Sequence, residues 1–101
     1  MSLPNNGVAW ELSRQLVRSA GSVGANLEEC KGAISKPQFR HKVSISLAEA
    51  RETLYWINRV ANGELLPRKR LTNLIKEADE IVSVLTTILK NSRRNQEREK
   101  S

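Results

Sequence analysis

Ser22-Val23-Gly24-Ala25-Asn26-Leu27-Glu28-Glu29-Cys30 lies inside an apolar pattern at helical spacing, with small and polar residues where an ordinary amphipathic helix carries leucine. Upstream and downstream the pattern extends as Leu12, Leu16, Ala20, Val23, Leu27, Cys30 and Ile34, widened by Val17 and Gly24. Steps of three and four keep one face towards a core. A glycine inside a helix costs about 1 kcal/mol relative to alanine. Close approach of a neighbouring helix at Ala20, Gly24 and Ala25 is the simplest compensation. This first helix is expected over about 7–32, after Pro4, with Asn5 or Asn6 as its cap.

The second stretch begins at Ser35-Lys36-Pro37-Gln38. Ser35 as N-cap with Gln38 three residues on forms a capping-box pattern, and Pro37 is tolerated in a first turn, where its missing N–H is unneeded. Its core stripe reads Phe39, Val43, Leu47, Ala50, Leu54, Ile57 and Ala61, and Gly63 is expected as a left-handed stop. This helix covers about 36–62. The third, about 67–92 with Pro67 at its start, has the widest apolar face: Leu71, Leu74, Ile75, Ala78, Ile81, Val82, Leu85, Ile88 and Leu89, with Val84 beside it. Residues 93–101 read as a polar, basic tail at a fraying helix end. Both connections are short, so neighbouring helices should run antiparallel. The expected fold is an all-α, up-down helical bundle in a single domain, 1–101.

Composition bounds the function. A chain of 101 residues supports one modest core. No apolar run approaches the roughly 20 residues that cross a bilayer, and residues 1–6 lack the pattern of a signal peptide. One cysteine cannot form an intrachain disulfide and suits a reducing compartment, so the expected location is cytoplasmic. The net charge is +6, and half of that excess falls from Lys90 onward. A basic balance permits nucleic acid as a partner without establishing one.

A turn centred near Ile34–Ser35 brings Glu28 and Glu29 near Arg40, His41 and Lys42, and Arg18 near Glu52. A second, centred near Glu64–Leu65, brings Glu52 towards Lys76. The polar stripe Ser19, Ser22, Asn26 and Glu29 therefore faces charges of the second helix, together with Glu49 and Glu52, and serves to set register. Ser22, Gly24, Asn26, Glu29, Glu49 and Glu52 are the expected packing and register residues.

Three basic clusters stand out: Lys36 with Arg40 and Lys42; Arg68-Lys69-Arg70; and Lys90 with Arg93 and Arg94. The second and third are the candidate nucleic-acid contacts. No aromatic residue is interleaved with them in sequence. Trp10 and Trp56 fall at the same end of the first two helices and are candidates for subunit contact, the alternative being packing at the core edge. Metal chemistry is weakly supported, because the lone histidine, His41, is outside any Glu-x-x-His motif, which leaves only Glu49 and Glu52 as hard-cation ligands. Cys30 falls in the core stripe and reads as a small buried hydrophobe rather than a nucleophile. No phosphate loop or zinc-spaced Cys/His set is present. No catalytic residue, cofactor, small-molecule substrate or membrane partner is expected.

Gln15, Ser22-Val23-Gly24-Ala25-Asn26, Glu29 and then Glu49-Ala50-Arg51-Glu52-Thr53-Leu54-Tyr55-Trp56 resemble the bacterial four-helix-bundle proteins encoded in rRNA intervening sequences. They are also similar to the accessory protein of diversity-generating retroelements. The resemblance covers about Trp10 to Ile88. It implies an antiparallel four-helix bundle, often a pentameric ring, with a basic surface suited to nucleic acid. Such proteins usually carry a further helix before the segment corresponding to Leu3-Pro4-Asn5, and here the sequence begins at that loop. The expectation is therefore a non-catalytic homo-oligomer that binds RNA or a nucleoprotein, the alternative being a purely structural, protein-binding oligomer. The further helix is either lost, or encoded upstream of this sequence, or supplied by another chain, and the last is the expectation pursued for the bundle.

Overall fold

The computed structural model describes residues 7–63 and 68–100. They are all-α: α1 (Gly7–Lys31), α2 (Lys36–Asn62) and α3 (Arg68–Lys100), with no strand among the described residues. The Asn5 or Asn6 cap, the turn at Glu64–Leu65 and Pro67 lie outside them.

At the start of α2 only the first bond of the capping box forms as expected, because the Gln38 side chain reaches past the Ser35 N–H to that of Ile34. The Gln38 backbone N–H donates to Ser35 Oγ at 3.1 Å, and Gln38 Oε1 accepts from the Ile34 N–H at 2.7 Å. The end of α2 departs from expectation. Gly63 has φ −80° and ψ 0°, outside the left-handed region, and its N–H bonds back to Arg59 O at 3.0 Å. Its freedom to adopt positive φ is therefore unused.

The polar segment 93–101 reads in sequence as a tail beyond the third helix. Instead α3 continues through Lys100, and Lys36 at the start of α2 pairs with Glu99 near its end. With Leu47 beside Leu89 and Ala50 beside Leu85 in one cluster, that pairing sets facing positions of α2 and α3 a few residues further along α3 than expected. Glu52 bonds Arg18 and Trp56, and Lys76 is exposed and does not pair with it.

The α2 helix is the centre of the arrangement. It packs on both α1 and α3, which make no backbone contact with each other among the described residues, giving a slab of 56 × 21 × 16 Å. Two clusters hold it. One joins Val43, Leu47 and Ala50 to Leu85 and Leu89, with Val23, Leu27, Cys30, Phe39 and Val82 at its border. The other joins Leu12 to Val60, Ala61 and Leu71, with Trp56 and Ile75 against it.

The close approach of α1 and α2 falls on serines, not glycines. Ser19 and Ser46 are completely buried. Ser46 Oγ donates to Val23 O at 3.4 Å, and Thr53 Oγ1 lies 3.0 Å from Ser19 Oγ. Gly24 is exposed, with nothing beyond its own helix backbone and chain neighbours within 4 Å of the position a Cβ would take. Ala20 and Ala25 are likewise exposed. The reason is rotational: five residues separate Ser19 from Gly24, about 140° around a helix of 3.6 residues per turn. With Ser19 turned into α2, Gly24 must point away. The expected end of the α1 stripe also fails, since Ile34 is 91 % exposed in the connection.

Candidate nucleic-acid interface

Along one side of the α2–α3 pair lies an open cleft of about 620 Å³ lined by Ser44, Leu47 and Arg51 from α2 and by Thr86, Leu89, Lys90, Arg93, Arg94 and Glu97 from α3. Leu47 and Leu89 belong to the core below, so their packing fixes the floor. Helical spacing then decides the rim. Residues 86, 90, 93 and 97 recur at three- and four-residue steps along α3, which puts them on one face. Arg51 stands four residues beyond Leu47 on α2. The mouth thus carries four cations and one carboxylate, Glu97. Among the described residues none of Arg51, Lys90, Arg93 and Arg94 has an ion-pair partner.

This separates the basic clusters. Lys90, Arg93 and Arg94 come together and are joined by Arg51, which reading the sequence missed because it sits within an alternating Glu-Ala-Arg-Glu run. The signal available was its position one turn along α2 from Leu47. In the Lys36, Arg40 and Lys42 cluster, Lys36 pairs with Glu99 and Lys42 with Glu29, so two of its three charges are balanced. Lys69 is exposed near the beginning of α3. The side chains of Arg68 and Arg70 lie outside the described residues. Lys69 and Lys90 are 21 positions apart on one helix, roughly 30 Å, so a single chain does not gather the two clusters.

Of the register residues, Glu49 and Glu52 are joined to each other through α1. Arg18 reaches Glu49 at 3.4 Å and also pairs with Glu52. Trp56 Nε1–H donates to Glu52 Oε1 at 3.1 Å. The Trp56 indole bond, followed by the Arg18 guanidinium, holds the Glu52 carboxyl below its ordinary range. Asn26 donates to Ser22 O at 2.9 Å within α1, while Glu29 reaches α2 through Lys42. Trp56 belongs to the packing of its own chain, with its ring against the Leu12–Val60 cluster. Trp10 is exposed.

The arrangement offers little to chemistry beyond charge. Glu49 and Glu52 are both taken by Arg18, and no group of three His, Cys, Asp or Glu among the described residues could hold a metal ion. Cys30 borders the core, and burial pushes its thiol up, away from the reactive thiolate. No described helix is long and apolar enough to cross a membrane.

A crystal structure of a protein of unknown function from the S23 ribosomal protein family of Bacteroides thetaiotaomicron is similar to this chain. The two superpose with a TM-score of 0.75 at 35% identity, over 78% of this chain and 73% of that one. No curated protein matches the sequence. Residues 2–87 match the family described as 23S rRNA-intervening sequence protein, and the chain belongs to that family.

Proposed function

We propose that this chain is a non-catalytic, oligomeric binding module of the cytoplasm that holds RNA by its phosphates in the cleft between α2 and α3. The observation that carries the reading is the set Arg51, Lys90, Arg93 and Arg94 around one opening, without ion-pair partners among the described residues. Four like charges at one mouth repel each other in the free protein. A polyanion relieves that repulsion and gains counterion release as well. Guanidinium groups match phosphate oxygens with two parallel N–H donors, so three arginines suit a phosphate better than a carboxylate at a distance. The family is named after an rRNA intervening sequence, which makes RNA the polyanion of first choice.

Assembly is the second part of the reading. Leu74, Ile81, Val84 and Ile88 on α3 and Val17 on α1 are exposed. Between α1 and α3 runs a shallow groove over α2 of about 100 Å³, lined by Ala20, Val23, Ala50, Thr53, Ala78 and Ile81. A helix from a second copy would cover it and complete an antiparallel four-helix bundle. Repetition around a closed ring, pentameric by the resemblance, would multiply the cationic cleft and bring the clusters at Lys69 and Lys90 of different subunits into play. The same apolar faces support the rival reading of a purely structural, protein-binding oligomer.

Fluorescence anisotropy of a labelled RNA, titrated with the full chain from about 50 to 300 mM salt, separates the two. The proposal expects log affinity to fall linearly with log salt. Replacing Lys90, Arg93 and Arg94 by alanine should flatten the line by about 0.7–0.9 for each phosphate no longer neutralised. An affinity indifferent to salt rejects it. A defined oligomer that binds no RNA establishes the rival.

A further inference from the structure

We infer that Tyr55 is a base-stacking platform at the end of the cationic cleft, so that the site takes an unpaired stretch of RNA in preference to a continuous duplex; this rests on the phosphate reading of that cleft. Arg51, Tyr55 and Arg59 follow one another at four-residue steps on α2, and all three are exposed. Residues four apart on a helix are surface neighbours, about 5–6 Å between Cβ atoms. The ring therefore stands immediately beyond the cleft's α2 cation, with a second cation one turn further.

The tyrosine is 53 % exposed, and its hydroxyl has no hydrogen-bond partner among the described residues. What holds it is the ring. Tyr55 meets Trp56 edge-on, with centroids 4.9 Å apart and planes at 73°. Trp56 is itself fixed, packed on the Leu12–Val60 cluster and bonded through Nε1–H to Glu52, which Arg18 anchors to α1. A ring braced on one side and open to water on the other loses little freedom when a base stacks on it. Every base has a π face, so the contact is tolerant of sequence.

The charges on the other wall agree. Asp79 precedes Thr86 by seven residues, two helical turns, so the face of α3 that lines the cleft carries a carboxylate towards that end. A continuous run of phosphates would meet repulsion there. A strand that places phosphates at Arg51 and Arg59 and turns one base onto Tyr55 avoids it. A duplex keeps its bases stacked within, and leaves the ring unused.

The test uses the full-length chain with a fluorescein-labelled single-stranded RNA of mixed sequence and the same RNA as a duplex. Tyr55→Ala should weaken single-strand binding about 5- to 150-fold, the range for loss of one stacked base. Tyr55→Phe should keep it, because the ring and not the hydroxyl meets the base. The salt slope should stay unchanged in both variants, and the duplex affinity should not move. Wild-type-like single-strand binding by Tyr55→Ala, with salt dependence intact, overturns the stacking role and leaves the phosphate cleft standing. No binding of either RNA by the wild type overturns both. A fall in sedimenting mass for Tyr55→Ala assigns the ring to a subunit contact and overturns the inference as well.

Discussion

Ser46 donates a hydrogen bond from Oγ to the main-chain oxygen of Val23, 3.4 Å away across the α1–α2 interface. With Ser19 it is one of two polar residues that are completely buried among those described. The two serines fill the role that the sequence pattern gives to a glycine: they let two backbones come close, and each hydroxyl finds an acceptor, so neither is left unsatisfied. Ser46→Leu should overpack this interface and cost about 1–3 kcal/mol or more. Ser46→Ala removes one hydrogen bond and should cost about 1 kcal/mol. Urea denaturation of the two variants checks both figures. Equal stability for the leucine variant would mean the helices do not touch here.

Gly24 should behave in the opposite way within its own chain. Beyond its own helix backbone and chain neighbours nothing lies within 4 Å of its missing Cβ, so Gly24→Ala should stabilise α1 by up to about 1 kcal/mol through helix propensity alone. The measurement is the shift in Tm, in a sample whose oligomeric state is checked before and after. A loss of stability on adding a single methyl would show that something outside this chain packs on the site.

Arg51 should count as part of the cationic cleft and Lys69 should not. Arg51→Ala should reduce the salt slope of RNA binding by the equivalent of about one phosphate. Lys69→Ala, roughly 30 Å away along α3, should leave the slope of a short oligonucleotide unchanged. A short probe matters, since a long RNA could span neighbouring subunits. Equal effects of the two substitutions would refute a localised cleft.

How much of this can be read from the chain depends on what each residue reports. The α1–α2 register is legible because charge and turn chemistry agree. Ser35 and Gln38 fix the turn, and Arg18–Glu52 and Glu29–Lys42 then fall together as their spacing requires. The α2–α3 register is not, because the sequence between those helices holds no capping pair like Ser35 and Gln38 to count from, and Glu99 falls in what reads as a tail. Gly24 misleads for a simpler reason. A stripe of small residues shows that something can come close, but not whether the partner is in the same chain. The cationic cleft is half visible: Lys90, Arg93 and Arg94 are near one another in sequence, whereas Arg51 joins them only once α2 lies beside α3.

Acid should loosen the α1–α2 interface through Glu52. The Trp56 indole bond and the Arg18 guanidinium lower its pKa below the ordinary 4.5. A carboxyl that is more acidic when folded contributes stability that is present above the ordinary value and disappears as pH falls through the lowered one. Trp56 fluorescence should therefore change in an acid transition below about pH 4.5. Glu52→Gln keeps an acceptor for the indole but has no charge to titrate, so that transition should vanish from the variant. Its persistence would place the titrating group elsewhere.

The apolar faces of α1 and α3 should be the assembly surface. Leu74, Ile81, Val84 and Ile88 recur at steps of seven, three and four on α3, and all remain exposed although they continue the helix's apolar arc. Leu71, Ala78, Leu85 and Leu89 are turned into α2 and buried, so the arc is wider than one neighbour can cover. At about 25 cal/mol per Å², covering a further ~600 Å² would favour association by about 15 kcal/mol. Losses of motion and side-chain ordering on association are of similar size, about 4–15 kcal/mol or more, so the net gain is modest and sensitive to single charges. Ile81→Glu with Ile88→Glu should then leave each chain helical, because neither residue is in the buried clusters, while dispersing the oligomer. Gly24→Leu should do the same from the α1 side if the partner's helix crosses there. Sedimentation at micromolar concentration, beside far-ultraviolet circular dichroism, reads both quantities at once. A wild-type chain that sediments as a folded monomer would reject the assembly, and with it the expectation that a second copy completes the bundle.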